Sequence, residues 1–117
     1  DLDAARDWLD RALSLAMESR FWPLVFAIFV DTGELLCAQG DVAGGLEILA
    51  FVDQARGADH EIAAVAAQGL TTWQQTDPTS PVYAAAVARG RTLIWETAHA
   101  QVRAKLRVSN ADPGLPA

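Results

Sequence analysis

At 117 residues the chain can bury one modest core, and 51% hydrophobic against 21% charged residues marks a folded domain, not a disordered chain. Fifteen acids against nine Lys and Arg give a net charge of -6, which repels phosphate backbones and argues against direct nucleic-acid binding. Cys37 is the single cysteine, so no internal disulfide forms, and the longest uncharged apolar run, Phe21 to Val30, holds Pro23 and spans ten residues, half of the roughly 20 that a membrane helix needs. The expected setting is cytoplasmic, with no membrane contact.

In chain order, Leu2 to Ser19 carries Leu2, Ala5, Leu9, Ala12, Leu13 and Ala16 on one face and Asp3, Arg6, Asp7, Asp10 and Arg11 on the other, the pattern of a one-sided surface helix. A second helix is expected over Trp22 to Gln39. Pro23 sits in its first turn, where a missing amide proton costs little, and Gly40 ends it as a left-handed cap. No polar stripe interrupts this helix, which predicts that it lies between neighbours.

Asp41 can cap a third helix, Val42 to about Ala55, whose Gly44-Gly45 pair would cost about 1 kcal/mol per residue relative to Ala. That cost is understandable where a side chain would collide with the preceding helix near Gly33. Asp59 can cap a fourth helix over His60 to Gln75. Ser80-Pro81 starts a short fifth helix through Ala88. Gly90 is read as its breaker and Thr92 as the cap of a last helix to about Val108. Residues 109–117, with Asn110, Asp112, Pro113, Gly114 and Pro116, lack periodicity and are expected to form a flexible tail.

Two segments match at an offset of 40 residues: Asp1-Leu2-Asp3-Ala4-Ala5-Arg6-Asp7-Trp8-Leu9 and Asp41-Val42-Ala43-Gly44-Gly45-Leu46-Glu47-Ile48-Leu49. Phe29 to Val52 resembles one tetratricopeptide repeat. Phe29 stands at the first large position of helix A, Gly33 at the small crossing position and Leu36 at the next core position; Gly45 and Leu49 occupy the small and large positions of helix B. The offset exceeds the usual period of about 34, so a longer link is expected around Ser19 to Trp22. Ala88-Arg89-Gly90-Arg91-Thr92-Leu93 with Glu96-Thr97-Ala98 looks like the end of the helical repeat region in bacterial STAND-type ATPases and in LuxR-type or BTAD-containing regulators.

The expectation is therefore an all-α fold of antiparallel hairpins stacked as a right-handed tetratricopeptide-like superhelix. Its divisions would be a partial repeat over residues 1–20, a full repeat over 23–56 and C-terminal helices over 59–108. The resemblance implies a concave groove lined by Ala27, Val30, Asp31, Glu34, Cys37 and Ala38, joined by Ala66, Leu70, Trp73 and Gln74 from the next helix. It also implies a non-catalytic interaction or effector-sensing domain of a larger bacterial signalling or transcriptional regulator. The partner would be a protein or peptide, another domain of the same polypeptide included, or a small effector; a purely structural C-terminal cap is the alternative.

Chemistry-bearing patterns are sparse. His60 and His99 are far apart, and no HExxH, CxxC or Walker loop occurs, so neither catalytic residues nor a metal or cofactor are expected. Asp31 and Glu34, three apart on a helix, read as an acidic patch. Cys37 has no activating neighbour in sequence. The face of the first helix with Trp8, Leu9 and Ala12 is a candidate homodimer surface. Residues 1–80 hold thirteen acids and four bases, for -9, and residues 81–117 two acids and five bases, for +3. The basic end, Arg89, Arg91, Arg103, Lys105 and Arg107, is suited to docking on an acidic neighbour.

Overall fold

The structure is a computed structural model that describes residues 1–107. Among the described residues it contains six helices and no strand: α1 (Leu2–Ser19), α2 (Trp22–Ala38), α3 (Val42–Gln54), α4 (His60–Thr76), α5 (Pro81–Thr92) and α6 (Trp95–Arg107). The expected tail over residues 109–117 lies outside them.

Helix boundaries follow the caps. Asp41 accepts the Gly44 amide at 3.1 Å, Asp59 the Ile62 amide at 2.9 Å and Ser80 the Tyr83 amide at 3.2 Å, each supplying an acceptor that the first turn lacks. α2 ends in a left-handed turn: Gly40 has φ 98°, its amide reaches Cys37 O at 3.1 Å and the Asp41 amide reaches Leu36 O at 2.9 Å.

α1 ends the same way with a residue poorly suited to it. Arg20 adopts φ 54°, with its amide 3.2 Å from Met17 O and the Phe21 amide 3.0 Å from Ala16 O. This tight turn corrects the expected long link at Ser19 to Trp22. Only Arg20 and Phe21 separate the helices, and the 40-residue offset between the two matching segments is taken up by the length of α1 and α2, with 18 and 17 residues.

α3 is the hub, packing against α2, α4 and α5. Leu46, Ile48, Leu49, Ala50 and Val52 on it are fully or almost fully buried, and burying each large aliphatic side chain contributes about 1.5–3 kcal/mol. At its crossing with α2 a Cβ on Gly45 would lie 2.5 Å from Gly33 O and 2.5 Å from Cys37 Sγ, and one on Gly33 would lie 2.9 Å from Leu49 Cγ. The two backbones thus approach closer than any side chain allows. Gly44 has a different role from its neighbour, since a Cβ there would meet the capping carboxylate of Asp41 at 2.5 Å.

Two expectations at the C-terminal end are corrected. Gly90 does not break the fifth helix: α5 runs through it to Thr92, and Gly90 is buried where a Cβ would fall 2.2 Å from Glu47 O and 2.7 Å from Ala50 Cβ. It is the point of closest approach between α5 and α3. Thr92 caps nothing ahead of it, because its hydroxyl donates back to Arg89 O at 2.9 Å.

α6 then returns to α1. Asp10 accepts Arg103 at 2.7 Å and Arg107 at 3.3 Å, while Lys105 meets Asp41 at 2.7 Å and Arg89 lies 3.7 Å from Glu47. The acidic neighbour of the basic end is therefore the chain's own N-terminal half. Burial alone would raise the Asp10 carboxyl, but hydrogen bonds and charge from Arg103 and Arg107 outweigh it and hold its pKa below the ordinary value.

Candidate functional site

Beyond its exposed first turn of Trp22, Pro23 and Leu24, α2 is buried on most of its circumference, and its solvent side is the narrow stripe Ala27, Asp31, Glu34 and Ala38, spaced i, i+4, i+7, i+11. α4 lies alongside and supplies the other wall. Glu34, Cys37 and Ala38 face Val65, Gln68, Gly69, Thr72 and Trp73 across a 400 Å³ cavity floored by Leu49. A smaller 160 Å³ hollow continues from it, bounded by Ala27, Val30, Asp31, Ile62 and Val65. Val65 belongs to both, so they form one groove along α2 and α4.

Its electrostatics are one-sided. The Asp31 carboxyl is raised above the ordinary value because the surrounding protein displaces water from it. Glu34 is raised for the same reason and further by repulsion from Asp31. Among the described residues no cation pairs with either, whereas Asp41 and Glu47 each meet one and Asp10 meets two. The arrangement offers two carboxylates along one groove, Glu34 opposite Trp73 and Asp31 among aliphatic residues, suited to a cationic or donor-rich side chain carried on an apolar one.

Of the residues expected in the groove, Asp31, Glu34, Cys37, Ala38 and Trp73 line it, and Val30 does so from a buried position. Leu70 and Ala66 do not. They share the inward stripe of α4 and are buried in the core. Gln74 lies at the far end, against Asp77, Pro78, Ser80, Tyr83 and Ala84 near the turn into α5. One step around the helix separates these from Val65, Gln68, Gly69 and Thr72, a rotation that the sequence pattern leaves open.

Cys37 is buried, its thiol 4.0 Å from Val42 O. Burial first, then the carboxylates of Asp41 and Glu34, push its pKa up to about 11, leaving a protonated and poorly nucleophilic sulfur. Among the described residues no three His, Cys, Asp or Glu side chains converge as metal ligands, and no helix is long and apolar enough to cross a membrane.

Sequence reasoning missed a second concavity. Trp22 at the start of α2 and Trp95 at the start of α6 meet edge to face at 5.7 Å, and with Phe26, Phe51, Gln54 at the end of α3 and the following Ala55 to Gly57 they line an open hollow of 540 Å³. Trp95 lies nearly parallel to both Phe29 and His99, at 5.4 Å each. His99 is therefore part of an aromatic cluster. Desolvation, then Arg103 and Arg107, lower its pKa. The signal available was four aromatic residues, Trp22, Phe26, Phe51 and Trp95, in otherwise unrelated segments.

The residues exposed on the candidate homodimer face of α1 also differ from expectation. Leu9 is 6% exposed and belongs to the core, while Trp8 and Leu15, seven residues apart and each 64% exposed, form the apolar ridge of α1. Compared with protein-family models, curated proteins and solved structures, the chain matches none of them.

Proposed function

We propose that the chain is a non-catalytic, tetratricopeptide-like interaction domain of a larger bacterial signalling or transcriptional regulatory protein, and that its α2/α4 groove holds a basic, apolar segment of a protein partner. Another domain of the same polypeptide is such a partner. One observation carries this reading: Asp31 and Glu34 are kept partly desolvated along the groove, Glu34 on the stretch that Trp73 lines, and among the described residues no cation pairs with either. Titratable groups shifted by desolvation gather at functional sites more than elsewhere on a protein. A bound Lys or Arg would relieve both the desolvation and the mutual repulsion.

The test is a binding screen of the chain against the other domains of its parent protein, with Glu34→Lys and Trp73→Ala as probes. Loss of binding in both variants at unchanged helicity supports the groove. Binding that survives Glu34→Lys, or none by the parent chain, rejects it in favour of a structural cap. The return of α6 to α1, with Asp10 taking both Arg103 and Arg107, favours that rival.

A further inference from the structure

The aromatic cavity lies apart from the groove and is built differently. Its 540 Å³ falls in the range of about 300–1,000 Å³ that suits small molecules. The walls are the faces and edges of Trp22, Phe26, Phe51 and Trp95, whose centroids stand 5.7 to 6.4 Å apart in the pairs that touch. Gly57 lets the loop close over them: a Cβ there would sit 3.0 Å from Phe26 Cε2. Such a slot accepts a flat ring.

The charge that accompanies the ring is decided at the rim. The start of α2, which has no side-chain cap, and the end of α3 both border the cavity. Helix ends carry about +0.5 and -0.5 of a unit charge, so this pair of ends cancels to first order, and the start of α6 at Trp95 leaves a partial positive charge. To it is added Arg56, the single charged side chain among the lining residues. The Gln54 amide beside it donates to Phe51 O at 3.3 Å and brings no charge. An aromatic enclosure alone would favour a cation; the full positive charge at the rim reverses that preference, and a guanidinium matches a carboxylate in two-point geometry.

We propose that this cavity binds a flat apolar carboxylic acid, its ring among Trp22, Phe26, Phe51 and Trp95 and its carboxylate on Arg56. The proposal stands independently of the groove.

Three probes of one shape test it: 2-naphthoate, 2-naphthylmethanol and 2-naphthylmethylammonium, each titrated into the full chain and followed by the tryptophan indole N–H signals in NMR. The naphthoate is expected to bind at least about tenfold tighter than the alcohol, which corresponds to one charge-assisted contact, and the ammonium weakest. Signals of Trp22 and Trp95 should move while those of Trp8 and Trp73 stay. Arg56→Gln, a change in an exposed loop that leaves the core untouched, should bring the naphthoate down to the level of the alcohol. Glu34→Lys should leave it unchanged, which separates this site from the groove. No binding at millimolar naphthoate, an alcohol or ammonium that binds as well, movement centred on Trp8 or Trp73, or undiminished binding in Arg56→Gln would each overturn the proposal.

Discussion

α3 is crossed twice, by α2 on one side and by α5 on another, and both crossings turn on glycine. Gly33 and Gly45 bring α2 onto α3, and Gly90 brings α5 onto Glu47 and Ala50 of the same helix. The first crossing is visible in the chain because Gly45 lies in an apolar helix whose register repeats that of α1. The second is hidden, because Gly90 is flanked by Arg89 and Arg91. On a helix, however, neighbours in sequence point about 100° apart, so two exposed arginines can bracket a buried glycine. The role of a helical glycine is set by what lies across from it and not by what lies beside it.

The pair of crossings is most sharply probed by enlarging each glycine. Gly45→Leu drives a branched side chain into Gly33 O and the Cys37 thiol, and the loss of stability should be about 3 kcal/mol, the upper part of the overpacking range. Gly90→Ala is the more discriminating change. A breaker replaced by Ala would gain about 1 kcal/mol of helix propensity. A crossing glycine loses instead, because the Glu47 carbonyl oxygen is held in the helix ladder and cannot swing away, and the expected loss is about 2 kcal/mol. Urea midpoints give the sign directly, and a stabilised Gly90→Ala would dissolve the second crossing.

Legibility in sequence follows the same division. Caps and breaks depend on local hydrogen bonding, so Asp41, Asp59, Ser80 and Gly40 could be read from their own neighbourhoods. The left-handed Arg20 could not, since an arginine there is disfavoured and only the packing of α1 on α2 makes the turn worthwhile. In the groove, the α2 positions followed from the tetratricopeptide resemblance and not from the pattern, because Asp31 and Glu34 are the only charged residues of that helix and are too few to mark a polar stripe. The α4 wall was shifted by one helical step, as Leu70 and Gln74 show, because Ala, Thr and Gln around the whole helix leave its rotation poorly marked. The aromatic cavity joins residues from α2, α3 and α6, a long-range juxtaposition without a local signature.

The tie between α6 and α1 is expected to be weaker than either crossing. Arg103 is largely covered, and donates to both the Asp10 backbone carbonyl and its carboxylate, at 3.0 and 2.7 Å. Arg103→Gln should cost about 1.5 kcal/mol, the lower end of the range for hydrogen bonds to charged groups, since Arg107 still reaches Asp10. Because the folded Asp10 carboxyl is lowered, its contribution is complete above the ordinary value of 3.8 and is lost as pH falls through the folded value. Arg103→Gln should flatten that acid limb. It should also raise the pKa of His99, since one of the two cations that repel its protonated form is gone, although desolvation continues to hold it below 6.5. An imidazole titration by NMR that does not move would place Arg103 away from His99.

The smallest effect, and the one with the opposite sign, belongs to the groove. The carboxyls of Asp31 and Glu34 are raised, so their ionisation works against folding. Stability from these groups therefore grows as pH falls through their folded values, the reverse of Asp10. Asp31→Asn removes one charge that the groove desolvates and one source of repulsion on Glu34. Because water still reaches both side chains, the gain at neutral pH should be limited to a few tenths of a kcal/mol, seen as a small rise in Tm together with a fall in the Glu34 pKa. The same substitution should weaken binding of a basic segment. A variant that is more stable and binds less is the mark of a charge retained for an outside partner. A fall in Tm would instead show Asp31 to be tied into the fold itself, and the contrast between neutralised acids under α6 and acids held open along α2 would fail.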